Sequence, residues 1–360
     1  MKNSKMYSVA PKLIALISFT LLCFLYFGCN NDDDENLNVP QVEINTIASG
    51  LKGPMGIETD TQGNIWVTES GTNIPDADND SHNNNGKVIL ITPNGQKYDA
   101  IVNLESYTNA HSGELQGTSH ILRDGGILNV LSGNHLYRAD ISNFKPGDTP
   151  LDARNLPSED IFSVISQLPA ASNPDHDSHP YNLTKGPDGD LYITDAGANL
   201  IIHRKGVNDY SIFAQIPAIP NPSFPGLGGP TVQSVPTALY YDGEAFLVTS
   251  LTGFPFPKDV ASIYKISLSG DVSVYQTGFT MLVDIVKGNN AYHLVAQHAA
   301  SFTPASGFAP NTGSLVWVNG ASTILLAEGL NKPSAIKQVD DHTWYVASLA
   351  DGTVLKVTYQ

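Results

Sequence analysis

The sequence predicts an all-β chain: a six-bladed β-propeller, closed by an N-terminal strand that completes the last blade. Three observations predict it. Five stretches repeat one pattern of a short apolar run, an Asp/Gly turn, a second run rich in aromatic and β-branched residues, and a small-residue turn. They are 53–71 (GPMGIETDTQGNIWVTESG), 117–141 (GTSHILRDGGILNVLSGNHLYRADI), 179–197 (HPYNLTKGPDGDLYITDAG), 235–253 (VPTALYYDGEAFLVTSLTG) and 332–352 (KPSAIKQVDDHTWYVASLADG). Such internal repetition is the signature of blades set around a ring. Helical periodicity is almost wholly missing, and an unassigned apolar run precedes the first repeat.

Taken in order, residues 1–28 are not part of the fold. Lys2, Lys5 and Lys12 precede an apolar stretch over 13–27, short for a membrane span. It ends in Leu25-Tyr26-Phe27-Gly28-Cys29, the outline of a bacterial lipobox, so Cys29 is the expected lipidated residue. Residues 29–40 then form the lipidated Cys and a tether (NNDDDENLN) too polar to build a core. Asn30 after the Cys and the acidic run place the protein at the outer membrane, with the acidic run favouring the cell surface over the periplasmic side. An ordinary signal peptide or a single anchor helix is the plainer alternative.

Residues 41–360 form one domain. The first blade takes 55–59, 65–69, 88–92 and 98–102, chosen by alternation and by Val, Ile, Trp and Tyr content. The second takes 119–123, 127–132, 135–141 and, after a polar excursion, 161–168. The third takes 181–185, 191–195, 200–204 and 211–215; the fourth 237–241, 245–250, 261–266 and 272–276. A degenerate fifth takes 282–286, 292–297, 314–318 and 323–327. The sixth supplies only 334–339, 343–347 and 353–358, so the run 41–48 (QVEINTIA) is expected to pair with 353–358 and remove two open edges. Blades of about 53 residues exceed the usual 40–45, and the surplus lies in loops at 70–87, 251–260 and 298–313. All three join a second strand to a third, which puts them on one face.

Composition narrows the partners. The chain carries a net charge of −16, and the first 28 residues hold three of its 19 basic residues and no acid, leaving −19 on the remainder. Nucleic acid and anionic lipid surfaces are thereby excluded as partners of the domain. Of two cysteines, Cys23 lies in the signal and Cys29 takes lipid, so packing alone must stabilise the propeller.

Three groups could carry chemistry. Asp76, Asp78 and Asp80 have calcium-loop spacing, but Ser81 and Lys87 stand where an EF-hand needs Gly and Glu, so a solvated loop is the simpler reading. Asp175, His176, Asp177 and His179 could hold zinc or merely make a polar connection. Glu69, Asn182, Asp195 and Asp284 are expected to gather at the central mouth, where acids and amides suit calcium or another divalent cation. Their alternative is bonding to turn backbone. His179, Asn182, Asp195, Asn199, Ser250, Phe254 and Phe256 are the expected ligand contacts, for a small molecule, a glycan or a protein. No nucleophile elbow, zinc-protease helix or phosphate loop is present.

The first and third repeats, together with LTGFPFPKDVASIYKI (251–266) and GFTMLVDIV (278–286), resemble the ScyD/ScyE family of propellers, which is related to NHL and gluconolactonase-like folds. The resemblance covers most of the chain after residue 42 and rests most on the GFPFP loop. It implies a six-bladed fold and an extracytoplasmic setting, with no defined reaction. The chain departs from it at Ser250, where Glu is expected, and in the fifth blade. Beside a binding role stand two further readings: a metal-dependent hydrolase or lyase, and a structural part of a membrane-anchored assembly.

Overall fold

The computed structural model describes residues 41–71, 81–82, 84–108, 115–169, 173, 176–289 and 291–359. Six blades follow one another, the first five with their strands in chain order from the axis outward; the first blade adds a short parallel outer strand, Leu151–Asp152. The innermost strands are Pro54–Thr59, Thr118–Asp124, Pro180–Lys185, Pro236–Tyr241, Leu282–Lys287 and Pro333–Asp340. Four of the six begin with proline, a position where a strand has no need of an N–H. The second strands are Ile65–Glu69, Ile127–Ser132, Leu191–Asp195, Phe246–Ser250, His293–Gln297 and Thr343–Ser348.

The hairpins between first and second strands are built by the Asp/Gly turns. Asp60 accepts from the backbone N–H groups of Gln62 and Asn64 and from the Trp66 indole, while Gly63 takes φ +78°. Asp242 holds Glu244 and Ala245 in the same way. These turns lie on one face of the ring, here the hairpin face. The connections between second and third strands, and between blades, lie on the other, the loop-bearing face.

The ring closes as expected. Val42–Ala48 pairs antiparallel with Thr353–Tyr359, from Val42 opposite Tyr359 to Ala48 opposite Val354, and becomes the outer strand of the sixth blade. Between blades, apolar side chains interdigitate: Trp344, Val346, Leu294, Leu315 and Trp317 form one such cluster between the fifth and sixth. Among the described residues no helix is long and apolar enough to cross a membrane.

One strand differs from expectation. The outer strand of the second blade is Ser158–Asp160, and the segment 161–168 instead contains a short helix, Phe162–Ile165. Its apolar residues Ile161, Ile165 and Leu168 recur at helical spacing and pack into the core between the second and third blades. Asp160 holds Ser163 through its side-chain and backbone oxygens.

A ring of hydrogen bonds sews the innermost strands together. Thr68 donates to the Ser119 carbonyl, Ser119 to Pro180, Thr194 to Thr237, Thr237 to Leu282, and Ser334 to Pro54. Each bond crosses from one blade to the next. At the fifth-to-sixth junction both hydroxyl positions are apolar, occupied by Val283 and Ala296. There the Asp284 carboxylate accepts from the Ile336 N–H at 2.6 Å instead.

Candidate functional site

Polar residues at the ends of second strands were expected to close on the central mouth. The structure assigns most of them to another task, tying down the connection from the preceding blade. Glu69 accepts from the Lys52 N–H at 2.8 Å, and Asp195 from the Ser178 hydroxyl and the His179 and Ala198 N–H groups at 2.7–2.9 Å. Gln297 accepts from the Thr280 N–H, and Ser132 and Ser348 donate to the Glu105 and Asn331 carbonyls. Asn199 bonds the Val235 N–H, and Ser250 both donates to and accepts from the Ser262 backbone. Burial raises the pKa of Glu69 and of Asp195, against the pull of these same donors.

The expected metal set therefore needs correction. Glu69, Asp195 and Asp284 each accept backbone N–H bonds at separate places and do not converge. Among the described residues, the group of carboxylate and imidazole atoms close enough to share an ion is Asp188, Asp190 and His203, on the hairpin face of the third blade. Asp188 there accepts from the Asp190 N–H and the Tyr192 hydroxyl, repeating the turn that Asp60 makes with Trp66. Asp76, Asp78, Asp80, Asp175 and Cys29 lie outside the described residues. His176 and Asp177 are exposed, and His179 packs edge-on to Tyr181.

The loop-bearing face carries an aromatic cluster. Phe256 lies 4.7 Å from Phe302 and 4.9 Å from Phe308, which are 5.1 Å from each other. Phe254 stands edge-on to Phe256 and Phe302 and is 52% exposed. Pro255 and Pro257 are buried beneath, and Phe224 adds an exposed ring on the segment that packs against Pro255. Backbone bonds from Thr252 and Gly253 to Ser234 and Gln233 pin the GFPFP loop. Phe254 and Phe256 were legible in sequence; Phe302 and Phe308 were not, since only the Phe302–Thr303 and Gly307–Phe308 hairpin folds them onto the cluster. His298 supports Phe308 edge-on and bonds the Pro333 carbonyl, and burial pushes its pKa down to about 4.

A second feature is a cavity of about 330 Å³ in the central channel, lined by the innermost strands of all six blades. The third residues of those strands are Gly56, His120, Asn182, Ala238, Asp284 and Ala335, three of them small and three polar. A Cβ at Gly56 would lie 2.8 Å from the His120 Cα, so the first two blades approach this closely only with glycine there. Towards the hairpin face, Lys337 pairs with buried Glu58 at 2.6 Å. Burial pushes His120 down to about 4, and pushes Asp284 up to about 7 against the Ile336 and Ile285 N–H groups and Lys337.

A stability signature follows. Asp284 has a folded pKa raised above its unfolded value of 3.8, so its contribution is full below that value and is lost as pH rises towards about 7. His120 and His298 act oppositely, losing their contribution as pH falls from 6.5 to about 4. Comparison with Asp284→Asn cancels the histidines. The stability of that variant relative to the parent should rise between about pH 4 and about pH 7 and level off above. A difference that stays constant in urea unfolding would show that Asp284 does not titrate there.

No protein-family model matches the chain, and no curated protein matches it in sequence. Solved structures do. The PQQ-bound aldose sugar dehydrogenase of Streptomyces coelicolor aligns with a TM-score of 0.56 at 13% identity, over 89% of this chain and 98% of that one. A catalytically inactive variant of virginiamycin B lyase from Staphylococcus aureus, solved with quinupristin, gives 0.50 at 15% identity, over 89% and 99%. A protein described as a putative gluconolactonase gives 0.50 at 12%, over 89% and 92%. The likeness is one of fold: this chain is a six-bladed propeller.

Proposed function

We propose that this chain is a membrane-tethered, extracytoplasmic binding protein of the ScyD/ScyE type. Its ligand carries an apolar face and docks on the phenylalanine cluster of the loop-bearing side. The observation that supports this most is Phe254: a half-exposed ring on a pinned loop, backed by three further phenylalanines. Rigid aromatic anchors lose little entropy on binding, and they dominate interface energetics. Lipid on Cys29 supplies the anchor, and its tether joins the domain at Val42, on the hairpin face. The hydrolase or lyase reading draws on the names of the structural neighbours, but the acids expected to hold its metal are engaged with backbone.

Titration with anilinonaphthalene sulfonate, a fluorescent probe with an apolar face, tests the site. Phe254→Ala should weaken probe binding at least about tenfold, roughly 1.4 kcal/mol, and leave the melting midpoint nearly unchanged because the ring is half-exposed. Equal binding by parent and variant would remove the cluster from the account. For the anchor, Cys29→Ala should release the protein from membranes or stall its processing. Membrane retention with the leader still removed contradicts lipidation.

A further inference from the structure

We propose that the hairpin-side half of the central channel is a second binding site, taking a small, uncharged, polyhydroxylated molecule of monosaccharide size. It is independent of the phenylalanine cluster on the opposite face. The cavity of about 330 Å³ falls at the small end of ligand pockets, which begin near 300 Å³.

The chemistry of its walls selects the ligand class. His120 is 4% exposed, and its Nδ1 lies 2.9 Å from the Tyr181 carbonyl, which can only accept. The proton therefore sits on Nδ1, and Nε2 is sealed from the cavity beside the Ser334 backbone, so His120 shapes the wall and leaves ligand contact to its neighbours. Asn182 is 9% exposed; its Oδ1 accepts from the Leu183 N–H, while its amide nitrogen donates to no protein group among the described residues. Thr184, half-buried, lines the same cavity, and its hydroxyl has no protein partner among the described residues.

The charged groups deepest in the channel are already engaged, while Lys287 at its rim reaches Asp341 only at 4.0 Å. Glu58 and Lys337 pair with each other at 2.6 Å, and both Asp284 oxygens accept backbone N–H groups. An ion entering the channel would find no unpaired counter-charge among these groups and would lose its hydration. A hydroxyl both donates and accepts, so a polyol pairs with Asn182 and Thr184 together. A ligand that pairs these groups is selected over one that displaces their water and leaves them unpaired.

Calorimetric titration with D-glucose, D-galactose, D-mannose and sorbitol, with gluconate and glucosamine as charged counterparts, decides the matter. At least one neutral member should bind, with its charged counterpart at least about tenfold weaker. Asn182→Leu should weaken that binding at least about tenfold, and Thr184→Val about threefold; Phe254→Ala should leave it unchanged. Thr184→Val is isosteric and half-buried, so it decides the question even if Asn182→Leu fails to fold. No binding by any neutral member, equal binding by gluconate or glucosamine, or indifference to Thr184→Val overturns the proposal. Loss of the anilinonaphthalene site in Phe254→Ala with sugar binding intact separates the two sites.

Discussion

A soluble form beginning at residue 50 should melt about 10 °C or more below one beginning at residue 30, or fail to accumulate as a monomer. The strand Val42–Ala48 supplies the outer edge of the sixth blade, pairing from Val42–Tyr359 to Ala48–Val354. Its removal deletes that ladder, uncovers Val354 and Val357, and withdraws Val42 from the cluster around Trp344. A loss of about 5 kcal/mol, at roughly 2 °C per kcal/mol for a domain of this size, gives the expected shift. The uncovered Thr353–Tyr359 edge is a template for pairing with other chains. Equal melting midpoints would show that the ring does not depend on its N-terminal strand.

Arg204→Met should cost about 3–5 kcal/mol at neutral pH. Arg204 and Glu159 are both buried, joined through two hydrogen bonds at 2.6 and 3.0 Å, and they link the outer strand of the second blade to the third. The Asn208 N–H and the Tyr210 hydroxyl complete the shell at 2.8 and 2.9 Å. Burial alone would raise the pKa of Glu159, yet Arg204 and these donors hold it below the usual carboxylate range. Without the guanidinium the carboxylate is left buried and unmatched. Glu159→Leu in the same chain should recover much of the loss, because both charges are then gone. A single-variant cost below about 1 kcal/mol in chemical denaturation would mean that water reaches the pair.

Repetition made the architecture legible. A blade cannot bury its faces alone, so its alternation and its Asp/Gly turn recur, and each recurrence marks the next blade. The closing strand was legible by elimination, as an apolar run with no partner beside a blade short of one. The segment 161–168 was misread because a chain placed by its blade number is easily granted strand character, whereas the spacing of Ile161, Ile165 and Leu168 is helical.

The candidate site was only partly legible, for a reason seen in Glu69, Ser132, Asp195, Gln297 and Ser348. All occupy the last residue of a second strand, and all bond the connection before their own blade. A metal set would be confined to a few blades; recurrence of polar residues at one repeat position is the mark of a structural tie. The third positions of the inner strands are instead divided between three small and three polar residues, a composition that marks the channel. Asp284 combines both roles, since it lines the cavity and also substitutes for a missing hydroxyl in the inter-blade ring. Contacts far apart in sequence stay hidden, as Phe302 and Phe308 against the GFPFP loop show.

The central claim is that ligand docks on the loop-bearing face, and photo-crosslinking in the cells that make the protein tests it most directly. Benzoylphenylalanine placed at position 254 keeps an aromatic ring on the cluster, and the same residue placed at Val339 samples an exposed site on the hairpin side. The account predicts a light-dependent adduct from position 254 and none from position 339. Adducts from position 339 alone, or from neither position, would contradict it.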